Sequence, residues 1–564
     1  MTDTKTPSSC GCVWQDFTSI GATWNLIPER EPQRKVTLVK KHLALVLSIL
    51  LLIPLFSGCS SSETPEPQTE PRLYDSRLNI ALTGAPTNLD IVVNTADDSS
   101  VIAYGSIFEQ LVALNNKSEP IPELCTHWEI SPDSKVYTYF LRKGVKFHNG
   151  KEMKAADVVA SMNRWIDQAA NAQSLVGDAR FEEVDEYTVR ITMEHGTPYL
   201  NLMIGGLGQH AVIMPKEVVE AAGEGVVTEY IGTGPYKFAE WAENQYVKLV
   251  KFEDYQPYGT EGDYSGWAGY KGAYYDEVYF YFPGDVATIA AGIQTGEYDA
   301  STALSADYFN TFANNPNYKI VEAEADLPAL IFNKKEGWGA NPKFRQAMAA
   351  LLDCNDIMYA AYGDEAFYNL YSSYMFKSQA TWYTEAGSEY YNQANPDKAK
   401  ALFAEAGFTP NDTFILLCAS DSQDFYSMAI VIQSQMRAIG LNCELLVYDW
   451  ATFVDVRNNQ PDKYHAFITS FSAKVLPNMN LFLSPSWAGW CTDPRIVEDL
   501  ARIGSETDLA AAQQIWYDLQ EYMWAESLPI IKFGNSMVWG VTTAKMEGAE
   551  IFERFVWVNS RIKN

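Results

Sequence analysis

Basic side chains are scarce in this chain. Its 42 Lys and Arg residues face 71 Asp and Glu residues, so the formal net charge at pH 7 is −29. A surface of this sign repels phosphate backbones and anionic lipid headgroups. Nucleic-acid binding is therefore excluded as the main function, and so is membrane attachment through a basic patch.

Recognisable catalytic and metal-binding motifs are missing as well. The sequence has no GxSxG, HExxH or Walker string, and its six His and eight Cys residues form no CxxC pair and no His–Cys cluster. A GxGxxA string at 206–211 lacks the strand–turn–helix context of a dinucleotide site. We therefore predict a protein that is not an enzyme and has no cofactor and no metal site.

No apolar run reaches the roughly 20 residues that a membrane-spanning helix needs. The longest, Leu43 to Phe56, has 14 residues and follows Lys40 and Lys41, as in a secretory signal. It ends in Leu-Phe-Ser-Gly-Cys59, which resembles the bacterial lipobox. That resemblance implies that Cys59 is diacylated and becomes the mature N-terminus, held on the membrane by its acyl chains. The alternative is a soluble export signal that happens to contain a cysteine.

The segments on either side of this cysteine have no globular pattern. We assign residues 1–58 to the signal region. Because residues 1 to about 38 make an unusually long leader, translation is expected to start near Leu38 or Val39. Residues 59–77 are rich in Ser, Pro and Glu and have no apolar periodicity, so we predict a disordered tether after the lipidated cysteine.

Five cysteines follow Cys59. An odd number in an exported protein leaves at least one thiol free or paired between molecules. Cys418 and Cys443 lie in two neighbouring strand-like runs. They are either bridged or two buried thiols that behave as small hydrophobic side chains.

Strand-like and helix-like runs alternate through the remainder of the chain. Residues 136–147 are β-branched and aromatic, whereas residues 154–169 place Val158, Met162, Trp165 and Ile166 on one helical face. Asn395-Pro396-Asp397 predicts a helix start, and Gly407 predicts its end. This alternation favours an α/β fold in more than one domain.

Several longer stretches resemble one protein family. The segments Ile107–Leu111, Pro122–Leu124 and WEISPDSKVYTYFLRKGVKFHNGKEMKAADVVASMNRW (128–165) are similar to the signature block of the extracellular solute-binding protein family 5. Later stretches keep the family order: GTGPYKF (232–238), NPKFRQAMAALLD (341–353), NPDKAKALFAEAGF (395–408) and LPIIKFG (528–534). Members of this family are the receptors of ABC importers for peptides, nickel complexes and similar cargo.

The resemblance implies a fold and a domain plan. The fold class is α/β, a two-lobed periplasmic-binding-protein type II (cluster C) fold with an extra subdomain in lobe I. Lobe I is expected at 78–325 with the insert at about 116–231, lobe II at 326–529, and a return to lobe I at 530–564. Residues 329–333 and 529–532 are the expected crossing strands, and hinge closure around a ligand is the expected mechanism.

The same resemblance directs the search for ligand-binding residues to the cleft between the lobes. Peptide-binding relatives hold the peptide ammonium with an Asp in a lobe II loop, but the corresponding stretch, 468–483, has no Asp and carries Lys474. This sign disfavours an ordinary peptide and leaves room for an anionic or neutral ligand. The candidate contacts are Asn88, Tyr371, Trp382, Ser470, Phe471, Ser472, Lys474 and Trp490.

The resulting prediction is an exported substrate-binding lipoprotein of an ABC importer, a monomer on the periplasmic or extracellular face of the cell membrane. It captures a peptide-like or other small solute and delivers it to the permease subunits. Three alternatives stay open: a non-peptide cargo such as a metal chelate, opine or oligosaccharide, a ligand-sensing subunit of a signalling receptor, and an exported hydrolase on a lipoprotein tether.

Overall fold

The computed structural model describes residues 76–206 and 208–563. The predicted signal region, the lipidation site at Cys59 and the tether up to residue 75 lie outside the described residues. None of the helices in the described part is both long and apolar enough to cross a membrane.

The elements below are numbered in chain order. The α-helices of the described part are α1 (Asp97–Ala103), α2 (Ala155–Gln168), α3 (Ala170–Val176), α4 (Leu200–Gly205), α5 (Lys216–Ala222), α6 (Val286–Thr295), α7 (Phe309–Ala313), α8 (Pro342–Leu351), α9 (Cys354–Tyr362), α10 (Pro396–Ala406), α11 (Gln423–Ala438), α12 (Trp450–Asn459), α13 (Pro494–Ser505) and α14 (Leu509–Tyr522). The strands are β1 (Arg77–Ala81), β2 (Val112–Leu114), β3 (Pro120–Pro122), β4 (Cys125–Ile130), β5 (Val136–Leu141), β6 (Phe181–Asp185), β7 (Thr188–Thr192), β8 (Tyr236–Ala242), β9 (Tyr246–Lys251), β10 (Tyr264–Ser265), β11 (Ala268–Gly269), β12 (Glu277–Tyr281), β13 (Ala300–Ser301), β14 (Tyr318–Glu324), β15 (Asp326–Phe332), β16 (Tyr368–Asn369), β17 (Thr413–Ala419), β18 (Asn442–Tyr448), β19 (Ala466–Ser472), β20 (Ile530–Lys532), β21 (Asn535–Thr543), β22 (Met546–Glu547), β23 (Glu550–Phe552), β24 (Arg554–Val556) and β25 (Arg561–Ile562).

We call lobe I the part built on an eight-stranded sheet. Its strands lie in the order β14-β21-β13-β1-β12-β9-β8, and β16 also pairs with β21. Strand β1 runs parallel to both β12 and β13, so these three strands end at the same edge of the sheet. The alternation of apolar and polar residues in β12, whose Val278 and Phe280 are buried, fits a sheet covered on one face.

A separate four-stranded antiparallel sheet forms the extra subdomain of lobe I, in the order β4-β5-β7-β6. Helix α2 packs on β6 and β7 and buries Val158, Met162, Trp165 and Ile166. These are the four residues that the helical spacing assigns to the apolar face, so that prediction is confirmed.

We call lobe II the part built on a five-stranded sheet in the order β18-β17-β19-β15-β20. Strands β17, β18 and β19 are parallel, and β15 runs against β19. Helix α10 begins and ends as predicted: the Asn395 side chain accepts a hydrogen bond from the Lys398 backbone N–H at 3.0 Å. Gly407 closes the helix with φ +81°. The fold is α/β and two-lobed, as the sequence predicts.

The chain passes between the two lobes at neighbouring points. Strand β14 ends at Glu324 in lobe I and β15 begins at Asp326 in lobe II, and β20 and β21 lead back across. Strand β16 makes a third passage, because it pairs with β21 whereas α9, just before it, packs on α11 of lobe II. The backbone of Ser536 accepts from the Ala325 N–H at 2.8 Å, so the passages lie side by side.

The five described cysteines are buried and free. In the parallel pair β17–β18, Cys418 is opposite Val447 and Cys443 is opposite Phe414. This register puts the two thiols at opposite ends of the pair. The bridged alternative is therefore wrong, and the buried-thiol alternative is the one observed.

Candidate functional site

The site lies between the carboxyl edges of the two sheets. In lobe I, β1 and β13 lead into Thr83 and Thr302, and in lobe II, β19 leads into Lys474. Ligands of open α/β sheets bind outside the carboxyl ends of parallel strands, because loops and helix N-termini converge there. The topology therefore places the loops of both lobes around one cleft.

Three adjoining cavities occupy this cleft. One of about 320 Å³ lies on lobe I and is lined by Thr83, Thr302 and Glu553. A second, of about 160 Å³, has both Glu553 and Lys474 in its wall, so it is shared between the lobes. The third, of about 520 Å³, continues from Lys474 along residues 476–484. Together they have room for a small solute of a few residues.

Carboxylates outnumber cations in the cleft. Three carboxylates line the cavities: Asp97, Asp98 and Glu553. Two more lie close by, since Asp326 acts electrostatically on Lys474 and Asp424 acts on Asp326. The cations are Arg554, which pairs with Asp97 at 2.8 Å, and Lys474. Lys474 therefore has two carboxylates near it, Glu553 and Asp326. The inference that an anionic or neutral ligand is favoured rests on the loop 468–483 alone and does not include these carboxylates; the charge of the ligand stays a prediction.

Enclosure between the lobes shifts the pKa values of these groups towards their neutral forms. Burial, together with the neighbouring Asp97, raises the pKa of Asp98 to about 6. Burial also raises the pKa of Glu553, and the charges of Arg554 and Lys474 partly offset this shift. Burial lowers the pKa of Lys474, and the charges of Glu553 and Asp326 partly offset that shift. These shifts mean that the charged forms of Asp98, Glu553 and Lys474 are less stable in the cleft than in water. A ligand group of opposite charge would stabilise them.

Glu553 is held in an unusual backbone conformation. It sits at the turn between β23 and β24 with φ +60°, in the left-handed region that costs a non-glycine residue about 1 kcal/mol or more. Glu553 is exposed, and it lines both the lobe I cavity and the cavity that the two lobes share. The turn thus aims a carboxylate into the cleft.

The structure brings part of the predicted set to this cleft. Lys474 lines two of the cavities, and its Nζ donates to Ser472 Oγ at 3.0 Å. Ser472 and Ser470 lie at the end of β19, where Ser472 pairs with Asp326 and Ser470 with Pro328. Their contact with a ligand stays a prediction.

Phe471 points to the other face of β19. It is buried, and its ring lies 5.0 Å from that of Phe482 and 5.5 Å from that of Trp487, within the lobe II core. The period of two along a strand explains why it diverges from Ser470 and Ser472.

Tyr371 lies at the passages between the lobes. Its hydroxyl donates to Glu324 Oε2 at 2.9 Å, and the Lys532 ammonium stands 3.6 Å from its ring centroid. Glu324 is the last residue of β14 in lobe I, whereas Lys532 ends β20 in lobe II. Tyr371 therefore connects the two lobes at the hinge.

Trp382 takes part in a contact between the lobes. It is 1% exposed in the lobe II core, and its ring centroid is 5.7 Å from that of Tyr199, which comes from the lobe I insert. Tyr199 also donates from its hydroxyl to the carbonyl of Ile503 at 3.0 Å. Tyr199 is thus in contact with two parts of lobe II.

Asn88 and Trp490 are not brought to the cavities described above. The Asn88 side chain accepts from the Asp90 N–H at 3.1 Å and stabilises its own loop. Trp490 packs under the Lys335 ammonium, 4.1 Å from the ring centroid. Lys335 follows the distal end of β15, so Trp490 is at the end of the lobe II sheet opposite the cleft.

Sequence reasoning missed all five carboxylates in and near the cleft. Asp326 had a usable signal, since the predicted lobe II begins at this residue, and Asp97 and Asp98 form the first turn of a short helix. Asp424 begins a helix directly after β17 and could have been found from the parallel-strand rule. Glu553 had no usable sequence signal, because its position depends on how the last strands of the chain pack back onto lobe I.

The family-like motifs form the buried framework next to the cleft. Glu109 and Glu123, from the segments 107–111 and 122–124, both pair with Lys271, and all three side chains are at most 5% exposed. Tyr255 and Thr233 each donate to Glu109 at 2.9 Å. Burial raises the pKa of Glu123, with Lys271 opposing the shift. These residues join distant parts of lobe I and do not line the cavities.

His148 joins two further motifs. Its Nδ1 accepts from the Gly232 N–H at 3.3 Å, and its Nε2 lies 3.0 Å from the Gly234 carbonyl, to which it donates. The imidazole is thus neutral, and burial lowers its pKa to about 4. Among the described residues, no group of three His, Cys, Asp or Glu side chains is arranged to hold a metal ion.

Two α/β lobes that enclose charged cavities between the carboxyl edges of their sheets define a protein that holds a solute between its lobes. The chain belongs to the bacterial extracellular solute-binding proteins, family 5, whose middle region matches residues 119–490. It is accordingly an exported solute-binding protein, and its family is not a family of enzymes.

Individual relatives agree with this assignment. The chain is 27% identical over 467 residues to the probable peptide ABC transporter periplasmic-binding protein y4tO of Sinorhizobium fredii, an alignment that covers 80% of this chain and 86% of that protein. Among solved structures, the substrate-binding protein CtaP of Listeria monocytogenes has a TM-score of 0.74 at 21% identity, covering 87% of this chain and 100% of CtaP. AgaA of A. tumefaciens R10, solved with agropinic acid, has a TM-score of 0.65 at 24% identity and covers 86% of this chain and 99% of AgaA. These two structures share the fold.

Proposed function

We propose that this protein is the lipid-anchored substrate-binding component of an ABC importer and that its cargo is a peptide-like solute. The observation that carries the proposal is the cleft, whose wall combines an excess of carboxylates with one free lysine. A free peptide has an ammonium group that suits the carboxylates, and a backbone rich in hydrogen-bonding groups. The relative named as a peptide ABC transporter protein points in the same direction.

The importer role follows from how such a cleft works. A ligand that contacts both lobes binds the closed form better than the open form and so shifts the population towards closure. A permease that recognises the closed form then receives loaded protein, and the energy for transport comes from ATP hydrolysis on the partner. The protein acts as a monomer and leaves its cargo chemically unchanged.

The domain plan that the sequence suggests is lobe I at 78–325 and 530–564 and lobe II at 326–529. We propose one change to it: β20 (Ile530–Lys532) pairs with β15 in the lobe II sheet, so lobe II extends to residue 532 and the return to lobe I begins after it. The hinge is proposed at Ala325 and at the turn between β20 and β21, where neighbouring residues belong to different sheets. The proposed anchor is Cys59, with residues 59–77 as tether. Intact mass of the protein purified from its host membranes would show a diacylated Cys59 as the first residue.

The cargo can be tested directly. Native mass spectrometry of the protein purified from its host should reveal a bound species in the mass range of a short peptide, and heating should release it intact. Titration calorimetry against a library of di- to pentapeptides should then give dissociation constants near the micromolar range, about −8 kcal/mol. A co-purified sugar or metal chelate, with no binding to the library, would refute the peptide cargo.

A further inference from the structure

One free charge of each sign faces the cavity that the two lobes share. Glu553 of lobe I and Lys474 of lobe II both line the 160 Å³ cavity. Among the described residues, no cation forms an ion pair with Glu553, although Arg554 and Lys474 both act on it electrostatically. Lys474 Nζ donates to the neutral hydroxyl of Ser472. The two charges also form no ion pair with each other, so the cavity separates them.

Opposite charges that face each other across an enclosed gap are suited to a dipolar ligand. The protein around the cavity raises the pKa of Glu553 and lowers the pKa of Lys474, so each charged form is less stable here than in water. A ligand with its own ammonium and carboxylate would give each of them a charge-assisted hydrogen bond. Because the two residues belong to different lobes, such a ligand would also link the lobes.

The charges around Glu553 and Lys474 decide which end of a dipolar ligand each lobe would bind. On the lobe I side, Asp98 lines the cavity next to Glu553, whereas the Arg554 cation is already engaged by Asp97. The uncompensated charge on this side is therefore negative. On the lobe II side Lys474 supplies the free cation, and Asp326 is near enough to act on it.

We propose that Glu553 and Lys474 are the specificity-determining pair of the cleft, with the ligand's ammonium bound by Glu553 on lobe I and its carboxylate by Lys474 on lobe II. This assignment rests on the proposed peptide-like cargo and adds its orientation. The carboxylate excess makes the ammonium contact the stronger of the two. The backbone of Glu553 supports the assignment, since its left-handed φ of +60° maintains a carboxylate where glycine would be less strained.

The test compares chemically blocked ligands on matched variants. The probes are the tightest-binding member of a di- to pentapeptide library, its N-acetyl form and its C-terminal amide. For the wild-type protein, acetylation should raise Kd at least tenfold, and amidation should raise it by a smaller factor. Glu553→Gln should raise Kd for the free peptide at least tenfold and remove the discrimination against the acetyl form. Lys474→Gln should remove the discrimination against the amide only.

Two controls separate a lost contact from a damaged fold. Glu243→Gln makes the same chemical change in the exposed turn between β8 and β9 and should leave every Kd unchanged. Glu553→Gly removes the carboxylate but relieves the left-handed backbone, so it should bind as weakly as Glu553→Gln with a melting temperature at or above that of the wild type.

The possible failures can be told apart. A wild-type protein that binds no library peptide refutes the peptide cargo, and the charge assignment falls with it. A wild-type protein that binds peptides, with Glu553→Gln and Glu553→Gly retaining the wild-type preference for a free ammonium, refutes the charge assignment and leaves the cargo standing.

Discussion

At the scale of single residues, the ionisable side chains of this protein have two different environments. Glu109, Glu123 and Lys271 are closed off from water and satisfy one another, and they bind segments of lobe I together. Glu553 and Lys474 border open space in the cleft and pair with no opposite charge of the described part. The first group stabilises the fold, whereas the second is available to a ligand. Sequence motifs identify the first group much more readily, because a buried network demands fixed residue types.

Removing the cation from the buried network should be far more damaging than removing one carboxylate. In Lys271→Met, Glu109 and Glu123 would be left without their counter-charge, and we expect a loss of about 3–5 kcal/mol in the free energy of unfolding. In Glu123→Gln, Lys271 keeps Glu109 at 3.5 Å, and the loss should be less than half as large. Urea unfolding followed by fluorescence measures both. Equal losses would show that the lysine does not compensate both carboxylates.

His148 should make stability fall on acidification. Its pKa in the folded protein is about 4, below the ordinary value of 6.5, so protons bind more readily to the unfolded chain. Its contribution is complete above about pH 6.5 and is lost as the pH falls towards 4. In His148→Gln the decline of the unfolding free energy between pH 7 and pH 4.5 should be shallower than in the wild type. Parallel pH profiles for the two proteins would contradict the prediction that the His148 imidazole is neutral in the folded protein.

The comparison of the variant with the wild type also removes the effect of Asp98. Its raised pKa makes the free energy of unfolding increase on acidification, and this effect is the same in both proteins.

At the scale of elements, the helices and strands follow from local sequence, but the contacts between lobes do not. Helix α10 could be predicted from its Asn395 cap and its closing Gly407, and α2 from the spacing of its buried residues. No local pattern links Tyr199, just before α4, with the last turn of α13. Such contacts depend on how the two lobes pack against each other. The periodicity of the sequence carries no information on the packing between lobes.

Tyr199 should act as a latch between the lobes. Its hydroxyl donates to the Ile503 carbonyl, one of the carbonyl groups at the end of α13 that the helix itself cannot satisfy. A net contribution of about 0.5–1.5 kcal/mol implies that Tyr199→Phe accelerates ligand dissociation by up to roughly tenfold. Stopped-flow displacement of a bound peptide measures the rate.

Tyr137→Phe is the matched control for this latch. Tyr137 is equally buried, and its hydroxyl donates to the Thr197 carbonyl at 2.6 Å, but both residues belong to lobe I. Its loss should lower stability without changing the dissociation rate. If both variants release ligand at the wild-type rate, the contact of Tyr199 does not hold the lobes together.

At the scale of the whole molecule, the sequence was sufficient for the architecture and insufficient for the cleft. The two-lobed α/β fold could be inferred because long motifs mark the scaffold. The expected crossing strands, 329–333 and 529–532, lie in and next to β15 and β20 of the lobe II sheet, and the chain passes between the lobes at the ends of these strands, next to Asp326 and after Lys532. Lys474 lies at the lobe II edge of the cleft, but its loop alone gives no information on the carboxylates near it. Asp326 and Glu553 come from two distant segments, and only the assembled lobes bring them near the lysine.

Ligand binding should make the molecule more compact. Cavities with walls from both lobes can fill only when the lobes separate, so the unliganded protein must visit an open form. Small-angle X-ray scattering should show a smaller radius of gyration with a saturating peptide than without it. Identical profiles in the two conditions would exclude hinge closure as the way in which the ligand is held.

The interior position of β21 has a consequence for biosynthesis. This strand comes from residues 535–543, yet it lies between β14 and β13 in the lobe I sheet. A nascent chain therefore lacks the strand that joins β14 to the rest of that sheet until its last segment has left the ribosome. We expect the lobe I part of an exported protein with this strand order to stay incompletely folded, and so competent for export, during synthesis. Lobe I can complete its sheet only when β21 has been made.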